Sequence, residues 1–152
     1  MRELRTAQKT DLPAIAALEK ACFPLGVSED TLERMLSDPM TVMLCVTEGG
    51  TLLGWGYFQT VLDEGYVGDL AVIPEARRRG VGTMLVKGMT ASARERGLAF
   101  LTLEVRQSNL AGRKTYEKCG FREAGRRRNY YEKPREDAVL MTVYFRGEDE
   151  EC

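Results

Sequence analysis

The sequence predicts an α/β fold in which a mixed, mostly antiparallel sheet is flanked by about four helices. The chain has 152 residues, 43% of them apolar, which is enough for one domain with a single hydrophobic core. Three strand-like runs follow one another in the first half, separated by glycine-containing turns. Helical and strand-like patterns then alternate, so the overall order is β-α-α-β-β-β-α-β-α-β-β.

The N-terminal part is predicted to contain one strand and two helices. A short strand runs from Arg2 to Thr6. Thr10 or Asp11 caps a helix whose apolar residues recur at helical spacing, and a Pro-Leu-Gly sequence ends it. Ser28 caps a second, shorter helix, which stops at an Asp-Pro pair.

The middle of the chain is predicted to form an antiparallel meander of three strands. Each run is rich in β-branched and aromatic residues, and short turns, including Gly49-Gly50, join the runs. The three predicted strands are 41–47, 52–62 and 66–73.

The remaining residues alternate between apolar patterns typical of helices and patterns typical of strands. Gly97 is predicted to stop one helix and Gly120 to cap another in the left-handed conformation. The predicted elements are helix 82–96, strand 98–105, helix 110–118, strand 121–131 and strand 137–145.

No internal repeat, linker or low-complexity segment divides the chain, so residues 1–146 are predicted to form one domain. Residues 147–152 are predicted to be a disordered acidic tail. The four cysteines have no close pair spacing and no secretory leader is recognised, which predicts free thiols and a cytoplasmic location. The longest uncharged stretch is 14 residues and contains four glycines, too short for a membrane span.

The chain contains no histidine. This absence excludes Ser-His-Asp and Cys-His nucleophile pairs, His-ligated metal sites and imidazole proton shuttles. Acid–base chemistry must then use Glu, Asp, Tyr, Lys or Cys, and no metal is expected.

Charge is segregated along the chain, although the net charge is only −1. Residues 75–128 contain 14 Lys and Arg against five Asp and Glu, and the remaining residues are correspondingly acidic. A basic half within an acidic chain favours a local anionic ligand such as phosphate. Solvated helix faces are the alternative explanation.

One loop is suited to binding a pyrophosphate. Arg77-Arg78-Arg79-Gly80-Val81-Gly82 follows a predicted strand and leads directly into a helix. Glycines at this spacing let backbone N–H groups point into one concavity, and the helix N-terminus adds partial positive charge. The loop is neither a Walker loop nor a dinucleotide fingerprint. A turn of solvated arginines is the competing interpretation.

Several motifs together resemble the GNAT superfamily of acetyl-CoA-dependent N-acetyltransferases. The R-x-x-G-x-G loop is followed by two further motifs, Leu103–Asn109 and Tyr116–Phe121. The stretch 127–131, with 135–138 beyond it, resembles the RimI-like N-terminal alanine acetyltransferases of ribosomal proteins. The resemblance covers nearly the whole chain.

The resemblance implies a GNAT fold and a binding site for acetyl-CoA. Backbone groups of one strand would pair with the pantetheine arm, namely Leu70, Ala71 and Val72. The loop and helix start would hold the pyrophosphate, namely Arg78, Arg79, Gly80, Val81, Gly82 and Thr83. Asn109 would contact the cofactor close to its thiol end.

The resemblance also implies a catalytic pair without a metal. Glu104 matches the family's base and Tyr116 its acid, roles that an amine attacking a thioester can use. Each residue has a structural alternative. Glu104 alternates with apolar residues as an ordinary outward strand carboxylate would, and Tyr116 has the helical spacing of a core aromatic.

The acceptor side is implied to involve Asn129 and Tyr131. The expected acceptor is a protein N-terminal α-amine, on a ribosomal protein, acetylated by a monomeric or weakly dimeric enzyme through direct attack in a ternary complex. The loop 23–28 lacks the tryptophan that RimI-like enzymes often carry, so a small amine or a lysine side chain stays open as acceptor. The run 126–131 also permits an RNA-binding module as the non-enzyme alternative, which is disfavoured.

Overall fold

A computed structural model describes residues 1–145, so the predicted tail at 147–152 lies outside the described residues. The predicted order of elements is confirmed, and every predicted boundary lies within two residues of the observed one. The helices are α1 (Leu12–Cys22), α2 (Glu29–Ser37), α3 (Val81–Glu95) and α4 (Leu110–Lys118). The strands are β1 (Arg2–Thr6), β2 (Thr41–Glu48), β3 (Thr51–Val61), β4 (Glu64–Val72), β5 (Phe100–Arg106), β6 (Arg122–Tyr131) and β7 (Glu136–Tyr144).

The seven strands form one sheet in the order β1-β2-β3-β4-β5-β7-β6. All neighbouring strands are antiparallel except β4 and β5, which are parallel. Helix α3 connects this parallel pair, since parallel strands need a long crossover. The prediction of a mixed, mostly antiparallel sheet with four helices is confirmed.

The apolar interior consists of two clusters rather than the single core that the composition suggested. Alternate residues of each strand point to opposite faces of the sheet, so one sheet separates the clusters. The face covered by α3 and α4 carries the larger cluster, which includes Leu44, Phe58, Leu85 and Phe121. The other face is covered over β2–β4 by α1 and α2, around Trp55.

The predicted caps at the two N-terminal helices have different outcomes. Ser28 caps α2 as predicted, because its hydroxyl accepts a hydrogen bond from the Thr31 N–H at 3.2 Å. Asp11, one of the two predicted positions, is the N-cap residue of α1, but its side chain makes no capping hydrogen bond there. The Asp11 carboxylate turns back instead, accepting from the Gln8 N–H at 2.7 Å and from the Arg5 guanidinium at 2.7 and 2.9 Å.

Helix α3 ends in a Schellman motif that delays the following strand. Gly97 has φ +73°, and its N–H donates to the Arg94 carbonyl at 3.0 Å. The Leu98 N–H donates to the Ala93 carbonyl at 3.1 Å. Leu98 therefore belongs to the cap, and the strand predicted to start there begins at Phe100.

Glu19 of α1 is buried completely beneath β3 and β4. One carboxyl oxygen accepts a hydrogen bond from the Trp55 indole N–H at 2.9 Å, and the other has no hydrogen-bond partner among the residues described. Burial, followed by interaction with Asp69, raises the pKa of Glu19 to about 8. The buried side chain is therefore mainly uncharged at neutral pH.

Candidate active site

The sheet opens between β4 and β5. The two strands pair only where Glu64–Tyr66 lie beside Phe100–Thr102. Beyond these residues β4 continues to pair with β3, and β5 continues to pair with β7. Residues 67–72 of β4 therefore present one edge that pairs with no strand in the described sheet, as does β5 from Leu103 onwards.

A bulge in β4 accompanies this opening. Phe58 pairs with Val67 and Gly56 with Leu70, so two residues of β4, Gly68 and Asp69, lie opposite the single residue of β3 between them. A Cβ atom on Gly68 would lie only 2.1 Å from the Tyr57 ring. The aromatic ring therefore requires glycine at this position of the bulge.

The loop predicted to bind an anion lies at the start of α3. Gly80 is the N-cap residue with φ +82°, and Arg78 before it also has a positive φ of 64°. The first intrahelical bond runs from the Met84 N–H to the Gly80 carbonyl at 3.0 Å, so the amides of residues 81–83 face outwards. A Cβ atom on Gly80 or Gly82 would meet nothing within 4 Å. The open space is where a phosphate would lie against these amides.

A cavity of about 470 Å³ connects this loop with the open edge of β4 and with α4. Its lining includes eight of the ten residues that the resemblance implied for the cofactor: Leu70, Val72, Arg78, Gly80, Val81, Gly82, Thr83 and Asn109. The side chain of Ala71 is instead buried on the other face of the sheet. Arg79 lies 3.7 Å from Glu48, and its carbonyl accepts a hydrogen bond from Arg2. Backbone contacts of these two residues stay predictions.

Sequence reasoning missed part of the cavity wall, mainly on α4. The added residues are Ala76, Ala111, Gly112, Thr115 and Lys118, together with Arg77, which the sequence placed in the pyrophosphate loop but not among the implied cofactor residues. Those on α4 recur at intervals of three or four, the spacing of one helix face. Small residues at that spacing, ending in a lysine, were the available signal. Arg77, Arg78 and Lys118 place three cationic side chains around the cavity.

Asn109 has a structural role in addition to its place in the cavity. Its side-chain oxygen accepts a hydrogen bond from the Gly112 N–H at 2.9 Å and so caps α4. A Cβ atom on Gly112 would lie 2.6 Å from the Asn109 amide nitrogen. Glycine at 112 therefore leaves room for the capping side chain.

Glu104 lies on β5 at the opening, on the sheet face opposite α3 and α4. The carboxylate lines a smaller cavity of about 210 Å³, with Tyr66 and Thr102 on the same face. The Arg127 side chain of β6 forms an ion pair with it, Nε to Oε2 at 3.0 Å. The sequence allowed Glu104 to be a base or an ordinary outward carboxylate. In the structure Glu104 points outward from the strand and lines a cavity.

Tyr116 lies in the larger apolar cluster with only 8% of its surface exposed. Its ring is 5.7 Å from the Phe121 ring, centroid to centroid. Burial raises the pKa of Tyr116 to about 12, with smaller contributions from Tyr131 and Cys119. The phenol therefore keeps its proton throughout the physiological range.

Tyr131 is half-buried and interacts electrostatically with Glu104 and with Tyr116. Burial and then Glu104 raise its pKa to about 12. The Arg106 guanidinium lies over the Tyr131 ring at 4.5 Å. Asn129 has φ +50° and donates its backbone N–H to Asp137 at 2.9 Å, so its conformation shapes the hairpin.

Three of the cysteines lie among the described residues. Cys22, Cys45 and Cys119 are free thiols, and burial raises the pKa of Cys119. Among residues 1–145 no group of three or more His, Cys, Asp and Glu side chains is placed to hold a metal ion. No helix in the same range has the length and apolar character needed to cross a membrane.

Comparison with known proteins gives consistent results. The acetyltransferase (GNAT) family model matches residues 10–121. The [ribosomal protein bS18]-alanine N-acetyltransferase of Escherichia coli K12 is 36% identical over 150 residues, covering 94% of this chain and 97% of the relative.

Solved structures extend the comparison to the whole fold. The crystal structure of the ribosomal-protein-S18-alanine N-acetyltransferase from Escherichia coli has a TM-score of 0.85 at 35% identity and covers 98% of both chains. The PaiA N-acetyltransferase of Thermoplasma acidophilum, solved with coenzyme A, shares the fold at 17% identity, with a TM-score of 0.77 over 95% of this chain and 99% of its own. The chain belongs to the acetyltransferase (GNAT) family.

Proposed function

We propose that this protein transfers the acetyl group of acetyl-CoA to the N-terminal α-amine of a protein that begins with alanine, a ribosomal protein as in its bacterial relatives. The observation that carries the proposal is the opening between β4 and β5, which has the phosphate loop and larger cavity at one side and Glu104 in the smaller cavity at the other. If acetyl-CoA occupies the larger cavity and the acceptor amine the smaller one, the thioester and the amine can meet at the opening between β4 and β5.

The larger cavity fits acetyl-CoA, the co-substrate of the family. The amides at the start of α3 would bind the pyrophosphate, with Arg77, Arg78 and Lys118 as counter-charges. The open edge of β4 would pair with the pantetheine amides as an added strand does. Acetyl-CoA supplies the activated acetyl thioester.

Glu104 is proposed to accept the proton of the acceptor amine, directly or through water. A peptide α-amino group has a pKa near 8 and is largely protonated at neutral pH. Only the neutral amine attacks a carbonyl carbon, so a carboxylate beside the gap assists the reaction. The new N–C bond forms as the C–S bond breaks, by direct transfer in a ternary complex.

Tyr116 is proposed to stabilise the leaving thiolate. Moving its proton from a phenol of pKa about 12 to a thiolate of ordinary basicity would cost about 5 kcal/mol. The hydroxyl therefore donates a hydrogen bond to the sulfur and retains its proton. Asn129 and Tyr131 are proposed to contact the acceptor, because their hairpin borders Glu104.

The proposal extends to the setting of the reaction. A single sheet that joins both ends of the described chain supports one domain. A monomer or weak dimer in the cytoplasm is proposed, with no nucleic acid or membrane as partner.

A panel of acceptors tests the proposed function. Acetyl-CoA turnover is measured with peptides beginning with Ala, Ser, Gly or Met, with lysine peptides whose N-termini are blocked, and with polyamines. Preferential turnover of the Ala peptide is expected, whereas preference for a polyamine would replace the acceptor with a small amine. RNA binding with a steep salt dependence and no thiol release would exclude an enzyme.

A further inference from the structure

The wall of the smaller cavity includes a cationic side chain, that of Arg127. Arg127 and Glu104 both line it, and their side chains form the 3.0 Å ion pair. Arg127 belongs to β6, and β7 lies between β6 and β5. The arginine side chain therefore crosses a strand to reach the carboxylate that we propose as the base.

The strand β6 is irregular directly after Arg127. The register between β6 and β7 shifts between Arg127 and Tyr131. Within this shift Asn129 has its positive φ and is held by Asp137. The shift also brings the Tyr130 ring to 5.8 Å from the Arg127 guanidinium carbon. The guanidinium thus has a second contact available beside the first.

The ion pair is placed where a substrate could break it. The side chain of Arg127 is 56% exposed and that of Glu104 is 30% exposed. Exposed ion pairs contribute little to stability, so an incoming cation can replace one partner at small cost. An α-ammonium group and a guanidinium are both hydrogen-bond donors for the same carboxylate oxygens.

We propose that Arg127 occupies the position on Glu104 that the α-ammonium group of the acceptor takes, and that the acceptor must displace it. The inference rests on the proposed function of Glu104. Displaced from the carboxylate, the guanidinium keeps its contact with the Tyr130 ring. The acetylated product is a neutral amide, so it does not compete for Glu104, and Arg127 returns. Arg127 then weakens the binding of the cationic acceptor by competing with it for Glu104, and leaves the binding of the acetylated product unchanged.

Equilibrium binding tests this exchange without turnover. An Ala-initial peptide and its N-acetylated form are titrated calorimetrically into the protein saturated with CoA. The variant is Arg127→Gln, and the matched control is Arg126→Gln, which removes the same charge from a neighbouring side chain that pairs with Glu123 at 3.1 Å.

The expected result is a roughly two- to fivefold lower Kd of R127Q for the amine peptide, with an unchanged Kd for the acetylated peptide. R126Q should bind both peptides as the unchanged protein does. In turnover, the effect of R127Q should appear in the KM of the acceptor rather than in kcat.

Three outcomes would overturn the inference. Unchanged or weaker amine binding by R127Q would show that Arg127 does not compete. Equal tightening for both peptides, or the same effect in R126Q, would show a general effect of charge. If the acceptor panel reveals a polyamine substrate, the proposed acceptor is wrong, and the same titration with that polyamine and its acetylated form still decides the inference.

Discussion

At the scale of residues, Tyr116 shows how apolar burial affects a side chain that we propose to be catalytic. The ring contacts Phe121 and is nearly enclosed, which keeps the phenol protonated. The packing contacts belong to the ring, whereas the proposed chemistry belongs to the hydroxyl. A substitution that removes only the hydroxyl therefore separates the two roles.

Tyr116→Phe is expected to lower kcat at least tenfold while the Kd for acetyl-CoA stays within twofold. The thiolate loses its hydrogen bond, but the ring still fills the same space. Stopped-flow or steady-state thiol release and calorimetric binding measure the two constants. Tyr144→Phe, the same change at an exposed tyrosine, is the control. An unchanged kcat in Y116F would remove Tyr116 from the mechanism.

Glu19 makes stability depend on pH in a defined direction. Its pKa is about 8 in the folded protein against an ordinary 4.5, so the folded state binds an extra proton between these values. Because the folded state holds more protons, the free energy of unfolding falls as pH rises through this range. The loss is complete once pH passes the folded pKa.

Glu19→Gln is expected to remove this pH dependence. The amide oxygen can still accept from Trp55, but the side chain no longer ionises. Urea unfolding at pH 6 and pH 9 should show a fall in stability for the unchanged protein and a smaller fall for E19Q. Glu29→Gln, an exposed position on α2, should retain the original fall. Equal pH dependence in E19Q and the unchanged protein would contradict the assignment.

At the scale of elements, helices α3 and α4 both end in a Schellman motif, but only the motif of α4 lies beside a proposed catalytic residue. Gly120, with φ +99°, ends α4 as predicted, and the Phe121 N–H donates to the Tyr116 carbonyl at 3.0 Å. This Schellman motif brings Phe121 against Tyr116. The motif at Gly97 has the same geometry but lies at the far end of α3, away from the phosphate loop.

Gly97→Ala and Gly120→Ala are expected to lose similar stability, about 1–2 kcal/mol each, because alanine is strained at positive φ. Only G120A should also lose kcat, since its cap positions Tyr116. Urea unfolding and steady-state kinetics at a temperature where both variants are folded make the comparison. Equal kcat values in the two variants would contradict a positioning role for the α4 cap.

The start of α3 gives an element-scale prediction for acetyl-CoA. Gly82→Ala should raise the Kd about tenfold, because the added methyl group enters the space proposed for the phosphate. The unliganded protein should be as stable or more stable, since alanine favours the helix by about 1 kcal/mol. Glu95→Ala at the exposed end of α3 is the control. An unchanged Kd in G82A would place the phosphate elsewhere.

Element types were readable from the sequence where local chemistry decides them. Ser28 and Gly120 act as the caps that their residue types indicated. Asp11 does not, because the Arg5 side chain, which the fold brings close, offers its carboxylate a charged partner. Leu98 was assigned to a strand because its apolar character suits a strand and a Schellman cap equally well.

The opening between β4 and β5 was not readable from local patterns. Pairing between strands far apart in sequence depends on the whole sheet, and nothing in the run 64–72 marks the residue where pairing ends. For the same reason the sequence does not predict the Glu104–Arg127 contact, which crosses β7.

At the scale of the whole molecule, the structure shows where the basic residues of the segment 75–128 lie. Part of the basic half surrounds the larger cavity through Arg77, Arg78 and Lys118. Other members are neutralised locally, as Arg106 is by Glu136 at 3.0 Å. The charge pattern still predicts an anion site, whereas only some of the arginines face the cavity proposed for it.

The absence of histidine leaves an unusually simple set of ionisable groups around the gap. Among the described residues they include a carboxylate with a guanidinium beside it and four phenols with raised pKa values, those of Tyr66, Tyr116, Tyr130 and Tyr131. None of these phenols loses its proton near neutral pH. The proposed chemistry therefore depends on one proton acceptor, Glu104.

The most direct test of acetyl transfer to an α-amine is to locate the acetyl group on a single peptide. A peptide with a free N-terminal alanine and one internal lysine is incubated with the protein and acetyl-CoA, and fragment-ion mass spectrometry assigns the modified nitrogen. We expect the acetyl group on the α-amine alone. Acetylation of the lysine Nζ with a free α-amine would contradict the account.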